Sequence, residues 1–183
     1  EVTNTATDIS FKFNLNGNPV ATDWGKYMVA IDRVSGGDTV SNGWVRPIGM
    51  PSGMDIWLGG WADSGNGLEN RGWTGAAWNL NGATYLATPG LTISKDTSSV
   101  TETVLLADLG LILGQSFYFD GFTSGGGGTD GAIDSAANPF QTIANWGDPY
   151  AVETALIYTV TPEPITLGLL GFGALSLLRR RRA

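Results

Sequence analysis

Ile9-Ser10-Phe11-Lys12-Phe13-Asn14-Leu15-Asn16 alternates apolar and polar residues without an error. Successive side chains of an extended strand point to opposite faces, so this stretch buries one face and wets the other, and it closes at the Asn16-Gly17 turn signal. Working outward, residues 27–31 form a short apolar run, the mark of a more deeply buried strand, stopped by Ser35-Gly36-Gly37-Asp38. Residues 55–61, 72–80 and 84–86 read as further strands between Gly and Asn turns. Residues 91–94 and 100–106 flank the polar turn Lys95-Asp96-Thr97-Ser98, and residues 116–119 and 154–160 supply the last strands. Residues 107–111 and 129–137 have room for a helical turn or two, and twenty-seven glycines disfavour more helix than that. Many short strands with turn signals between them predict one all-β domain, an antiparallel β-sandwich of jelly-roll-like or immunoglobulin-like type, over residues 1–161.

Composition narrows the chemistry. The chain has neither cysteine nor histidine, which excludes disulfides, thiol nucleophiles, the familiar catalytic triads and the usual zinc ligands. Residues 1–161 carry sixteen Asp and Glu against six Lys and Arg, a net charge of −10. A nucleic-acid partner wants a basic face, so none is expected; the acidity serves solubility.

The C-terminus is built differently. Pro162-Glu163-Pro164 precedes fourteen uncharged residues, 165–178, and then Arg179-Arg180-Arg181-Arg182. As a helix the apolar stretch would rise roughly 21 Å, short of the roughly 30 Å hydrocarbon core, but arginines snorkel to the headgroups and extend the reach. A basic cluster stays on the cytoplasmic side, which places residues 1–161 outside. This order of parts resembles the PEP-CTERM sorting signal of Gram-negative bacteria. The resemblance covers residues 162–183 and implies a short C-terminal hydrophobic helix that holds an inner-membrane-anchored precursor. It further implies recognition and cleavage near Pro162-Glu163-Pro164 by an exosortase-type enzyme, then delivery to the cell surface or extracellular matrix. A sorting signal of this kind presupposes export, so a leader ahead of Glu1 is expected. Separately, Asn4-Thr5-Ala6-Thr7-Asp8-Ile9-Ser10-Phe11-Lys12-Phe13 resembles the early strand of carbohydrate-binding family 9 and DOMON-like sandwiches.

Trp44, Trp57, Trp61, Trp73 and Trp78 fall within 35 residues. A flat indole covers the axial C–H face of a sugar while nearby polar groups read its hydroxyls. Trp57, Trp61 and Trp73 form the candidate stacking set for an exopolysaccharide, with Asp55, Glu69 and Arg71 as polar contacts; the competing reading makes these indoles core. Asp120, Asp130 and Asp134 sit in or beside the glycine-rich stretch 125–131 and offer oxygen ligands to calcium, although the spacing is not that of an EF-hand and a plain surface loop is the commoner meaning. Gly126 to Gly131 satisfies G-x-G-x-x-G, but Asn138-Pro139 follows too soon for the long helix a dinucleotide site needs. Catalysis is not expected. A carboxylate-based glycosidase is the remaining enzymatic alternative, with Asp55 and Glu69 as its pair. The leading expectation is a non-enzymatic, structural surface protein without a cofactor, and the runner-up is a carbohydrate-binding module.

Overall fold

The alternating stretch forms the second strand of a small sheet whose inner face is apolar and whose outer face is wet. A computed structural model describes residues 1–152 and 154–162. Its strands are β1 (Val2–Asn4), β2 (Asp8–Asn14), β3 (Lys26–Asp32), β4 (Ile48–Gly49), β5 (Ile56–Trp61), β6 (Gly67–Trp73) and β7 (Trp78–Ala83). They continue with β8 (Thr92–Lys95), β9 (Ser99–Leu105), β10 (Ser116–Ser124), β11 (Ala132–Ser135), β12 (Tyr150–Ala151) and β13 (Leu156–Thr159). The small sheet has the order β1-β2-β9-β8. The large one runs β11-β10-β3-β5-β6-β7, with β13 also paired to β10. Every pair in these two sheets is antiparallel; a short parallel pair, β4 with β12, stands apart. The fold is the expected antiparallel β-sandwich.

The two sheets meet through Ile9, Phe11 and Val104 on one side and Val29, Ile31, Ile56, Leu58, Leu68, Phe117 and Phe119 on the other. Phe11 and Phe119 lie 5.9 Å apart between ring centroids. On the outer side of the small sheet Ser10 and Thr103 share a 2.8 Å hydroxyl pair, so β2 spends its two faces as its alternation predicts.

The large sheet is covered on both faces. Its outer side carries Met28, Ala30, Trp57 and Phe122, roofed by Ile48, Met50 and Met54 from the long β3–β5 connection and by Val152. That second cover explains the unbroken apolar run at 27–31, where every residue is buried.

Three local readings are corrected, and one strand goes largely unread. Residues 72–80 are a hairpin rather than one strand: Thr74-Gly75-Ala76-Ala77 turns the chain, with Thr74 N–H donating to the Ala77 carbonyl at 3.0 Å and Gly75 at φ +90°. Residues 84–86 form a 3-10 turn closed by Ala87 in the left-handed region, leaving Tyr85 and Leu86 exposed. Residues 129–137 hold β11 instead of a helical turn, because pairing with β10 supplies the backbone partners. β6, whose centre reads Glu69-Asn70-Arg71, escaped the apolar pattern except for its last two residues. The 3-10 turn Ala107–Leu109 does fall where a helical turn was expected. The expected C-terminal hydrophobic helix lies outside the described residues; among those described, no helix is long and apolar enough to cross a membrane.

Candidate functional site

Even spacing puts Trp57 and Trp61 on the outer face of β5, as anticipated, but the two meet different surroundings. Trp57 is fully buried and stacks on Phe122 at 6.4 Å with 22° between the rings. Trp61 is half-buried between Trp44 (6.4 Å, 43°) and Tyr85 (6.3 Å, 36°). These approaches require glycine at two places: a Cβ on Gly59 would enter the Trp44 ring, and one on Gly67 would enter the Trp61 ring. Trp73 pairs instead with Trp78 across the hairpin at 5.7 Å, and Trp78 Nε1 donates to Asp38 Oδ2 at 2.9 Å. The three indoles therefore do not make one flat platform.

Glu69 organises this face. Its Oε2 accepts from Trp44 Nε1 and Arg71 Nε, both at 2.8 Å, and its Oε1 accepts from the Tyr85 hydroxyl at 2.8 Å. Burial pushes the Glu69 pKa up, but the hydrogen bonds from Arg71, Trp44 and Tyr85 and the Arg71 charge outweigh it, and the net shift is downward. The same contact raises the Tyr85 pKa, because losing its proton would set two anions together. Trp61, Glu69 and Arg71 are thus brought together, with Trp44 and Tyr85 as members the sequence reading left out of the set. Asp55 is elsewhere: its Oδ2 accepts from the backbone N–H of Arg33 (2.9 Å) and Val34 (3.0 Å). Gly59 is the register partner of Glu69, so Asp55, just ahead of β5, lies four residues back along the chain, about 13 Å away. Paired glycosidase carboxylates work at roughly 5 to 10 Å.

The three calcium candidates also separate. Asp120 is buried on the outer face of β10 and accepts from Ser135 Oγ (2.6 Å), Gly121 N–H (2.7 Å) and Ala137 N–H (2.9 Å). Burial raises its pKa, and those donors offset only part of the rise. Asp134 precedes Ser135 on β11 and so points to the opposite face, where its Oδ2 accepts from Thr123 Oγ1 at 3.1 Å. Asp130 caps the glycine turn through Gly127 N–H at 2.8 Å, and its carbonyl accepts from Arg46 Nη1 at 2.9 Å. Among the described residues no three His, Cys, Asp or Glu side chains form a group able to hold a metal ion.

A groove of about 760 Å³ opens at the end of the sandwich remote from the chain's exit, between β2, residues 15–25 and the β10–β11 edge. Lys12, Phe13, Asn14, Trp24, Thr123 and Asp134 line it. Phe13 and Tyr27 pack at 5.5 Å on its floor. Trp24 is 47 % exposed and meets Trp146, 52 % exposed, edge-on at 5.9 Å. The sequence reading missed this place because Trp24 and Trp146 lie outside the tryptophan-dense segment and meet only through the fold.

The exit itself is built with care. Gly114 N–H donates to the Val160 carbonyl at 2.7 Å and Val160 N–H to the Gln115 carbonyl at 2.9 Å. Asn4 then holds the next residue from both sides, its Nδ2 donating to the Thr161 carbonyl at 2.7 Å and its Oδ1 accepting from Thr161 N–H at 3.1 Å. Pro162 follows directly; Glu163, Pro164 and Arg179 to Arg182 lie outside the described residues. Compared with known families, residues 160–182 match the PEP-CTERM protein-sorting motif. The chain carries a PEP-CTERM sorting signal. Such a motif implies an exported, membrane-anchored precursor processed by an exosortase, a membrane protease. No curated protein and no solved structure matches the chain.

Proposed function

We propose that this is a cell-surface or extracellular-matrix protein whose body is a structural β-sandwich with no catalytic role, delivered by its PEP-CTERM tail. The seam between body and tail carries this reading. β13 ends at Thr159, Asn4 clamps Thr161, and the motif match begins at Val160. Cleavage beyond Pro162 takes no described strand from either sheet. The polar groups that sequence reading offered for chemistry are engaged within the body, Glu69 with Arg71 and Asp55 with the Arg33 and Val34 backbone N–H groups, which suits a rigid module better than a reactive one. Replacing Arg179 to Arg182 with Ser in the full chain is expected to misorient or release the precursor. Intact mass of the surface form should lack residues 165–183. Normal delivery of the Ser variant, or a surface form that keeps residues 165–183, counts against the reading.

The groove supports a second reading, a module that binds exopolysaccharide. Trp24 offers an exposed indole, and Asn14, Lys12 and Asp134 offer polar contacts beside it, the pairing of flat apolar surface and hydrogen-bonding groups that a sugar needs. On an array of bacterial polysaccharides, saturable binding with a shift in tryptophan emission is expected for the full chain and lost in Trp24→Ala, while Trp73→Ala keeps it. Binding that survives Trp24→Ala removes the groove from consideration.

A further inference from the structure

The loop between the Ala107–Leu109 turn and β10 has two kinds of leucine neighbours. Leu109 and Leu111 are buried in the core and fix the loop, whereas the adjacent Ile112 and Leu113 project outward, 70 % and 43 % exposed. Gln115 closes the loop tip, its Oε1 accepting from Ile112 N–H at 3.2 Å. This is the same loop whose Gly114 and Gln115 hydrogen-bond Val160, so the two exposed aliphatics stand beside the point where the chain leaves the sandwich. Farther along the same strand pair, beyond the exposed Ser116–Thr159 hydroxyl pair, Ile157 on β13 is 63 % exposed and its cross-strand partner Tyr118 49 % exposed.

Covalent reach decides what this surface faces. Thr161 is clamped by Asn4, and the uncharged run starts at Ile165, four residues further on. Four residues span at most roughly 14 Å. An anchored precursor therefore cannot hold this end of its body far from the bilayer. The charges beside the exit do not favour an electrostatic contact with anionic lipid. Asp8 is engaged by the Thr5 and Thr7 hydroxyls, Asp108 is acidic, and Arg33, the nearby cation among the described residues, is turned to the Gly110 carbonyl at 3.5 Å. What remains is apolar surface against the lipid interface.

We infer that the body of the precursor rests on the membrane by its exit end, with Ile112 and Leu113 entering the lipid interface beside the emerging tail. The inference rests on the anchored-precursor reading of the sorting motif. It adds an orientation: the groove at the opposite end points away from the membrane, open to whatever the cell surface presents.

The absence of cysteine makes a direct test simple. Ile112→Cys and, at the far end of the sandwich, Thr97→Cys each give the full chain a single thiol for an environment-sensitive fluorophore. The labelled chains are reconstituted into vesicles of phosphatidylethanolamine and phosphatidylglycerol that contain a spin-labelled lipid. Expected are blue-shifted emission and strong quenching at position 112, with neither at 97. Equal responses at the two positions in vesicles that float with the chain overturn the docking but leave the anchor standing. A chain that does not float with the vesicles overturns both. Absent quenching at 112, together with slowed tail removal in an Ile112→Asp, Leu113→Asp variant, assigns the surface to the processing enzyme and overturns the lipid contact.

Discussion

Each face of the large sheet has a buried glutamate against it, one of its own and one from the small sheet, and the two are treated in opposite ways. Glu69, on the outer face, receives three donors and holds its pKa down. Glu102, on β9, points into the space between the sheets with no exposed surface, its two oxygens meeting no donor at all, and burial lifts its pKa well above the ordinary value. Phe11 and Ile93 are its register partners, and Gly60 on the opposing sheet lacks the Cβ that would strike its Oε1. Burial alone does not set the state of a carboxylate; the donors arranged around it do. The outer face is knitted together by an anion. The inner face accommodates a glutamate with no partner, whose charged form burial disfavours.

Removing the anion should cost most. Glu69→Ala leaves Trp44 Nε1 without an acceptor and Arg71 without its counter-ion in a mostly covered site, an expected loss of about 3 kcal/mol in urea unfolding. The pH sign follows from the lowered pKa: the stabilisation is present above the unfolded value and fades as pH falls through the folded one. If Glu69→Ala unfolds at the same urea concentration as the parent, the cluster is ornamental and the contrast between the faces collapses.

Glu102 should respond in the other direction. Glu102→Met replaces an acid that has no partner with a side chain that suits its surroundings, and a gain of about 1 to 2 kcal/mol at neutral pH is expected. Because its folded pKa is raised, its contribution is most favourable below the unfolded value. It declines as pH climbs toward the folded one and is flat beyond. Asp120 and Asp32 are raised too and add slope of the same sign, so the measurement is the difference in melting temperature against pH between the parent and Glu102→Gln. A variant whose pH profile overlays the parent's would mean that Glu102 finds a donor, and the inner face would then resemble the outer.

This contrast also explains what could be read in advance. β2 and β3 were legible because burial on one face or on both leaves its own periodicity in the sequence: alternation at Ile9, Phe11 and Phe13, and an unbroken run from Tyr27 to Ile31. β6 was not, because Glu69 and Arg71 satisfy each other and so occupy covered positions as polar residues, while Asn70 faces the core between them. The hairpin at Thr74-Gly75 was hidden by apolar residues on both sides of the turn. Among the candidate site residues, parity placed Trp57 and Trp61 on one face, but depth is a tertiary property: Phe122 and the β3–β5 connection decide that Trp57 is core and Trp61 only half covered. Nothing local links Trp24 to Trp146, or Tyr85 to Glu69. The tail was legible because its parts are contiguous in sequence and owe nothing to the fold.

The finest cut through the comparison is Tyr85→Phe, which removes one donor of the three and leaves the ring beside Trp61. Tyr85 is 59 % exposed, so water replaces its hydroxyl at Glu69 Oε1 at little expense, and an expected loss of about 0.5 kcal/mol reflects that screening. The informative quantity is therefore the Glu69 pKa, followed by carbon-detected NMR of the side-chain carboxyl. With Tyr85 gone the carboxylate keeps Trp44 and Arg71, and its pKa should rise only part of the way toward that of an ordinary glutamate. A return to the ordinary value or above would show that Tyr85 held the balance against burial, and that the anion of the outer face depends on its most exposed donor. No change would mean that Arg71 and Trp44 alone keep Glu69 charged, leaving Tyr85 as a lid on Trp61 rather than a part of the cluster.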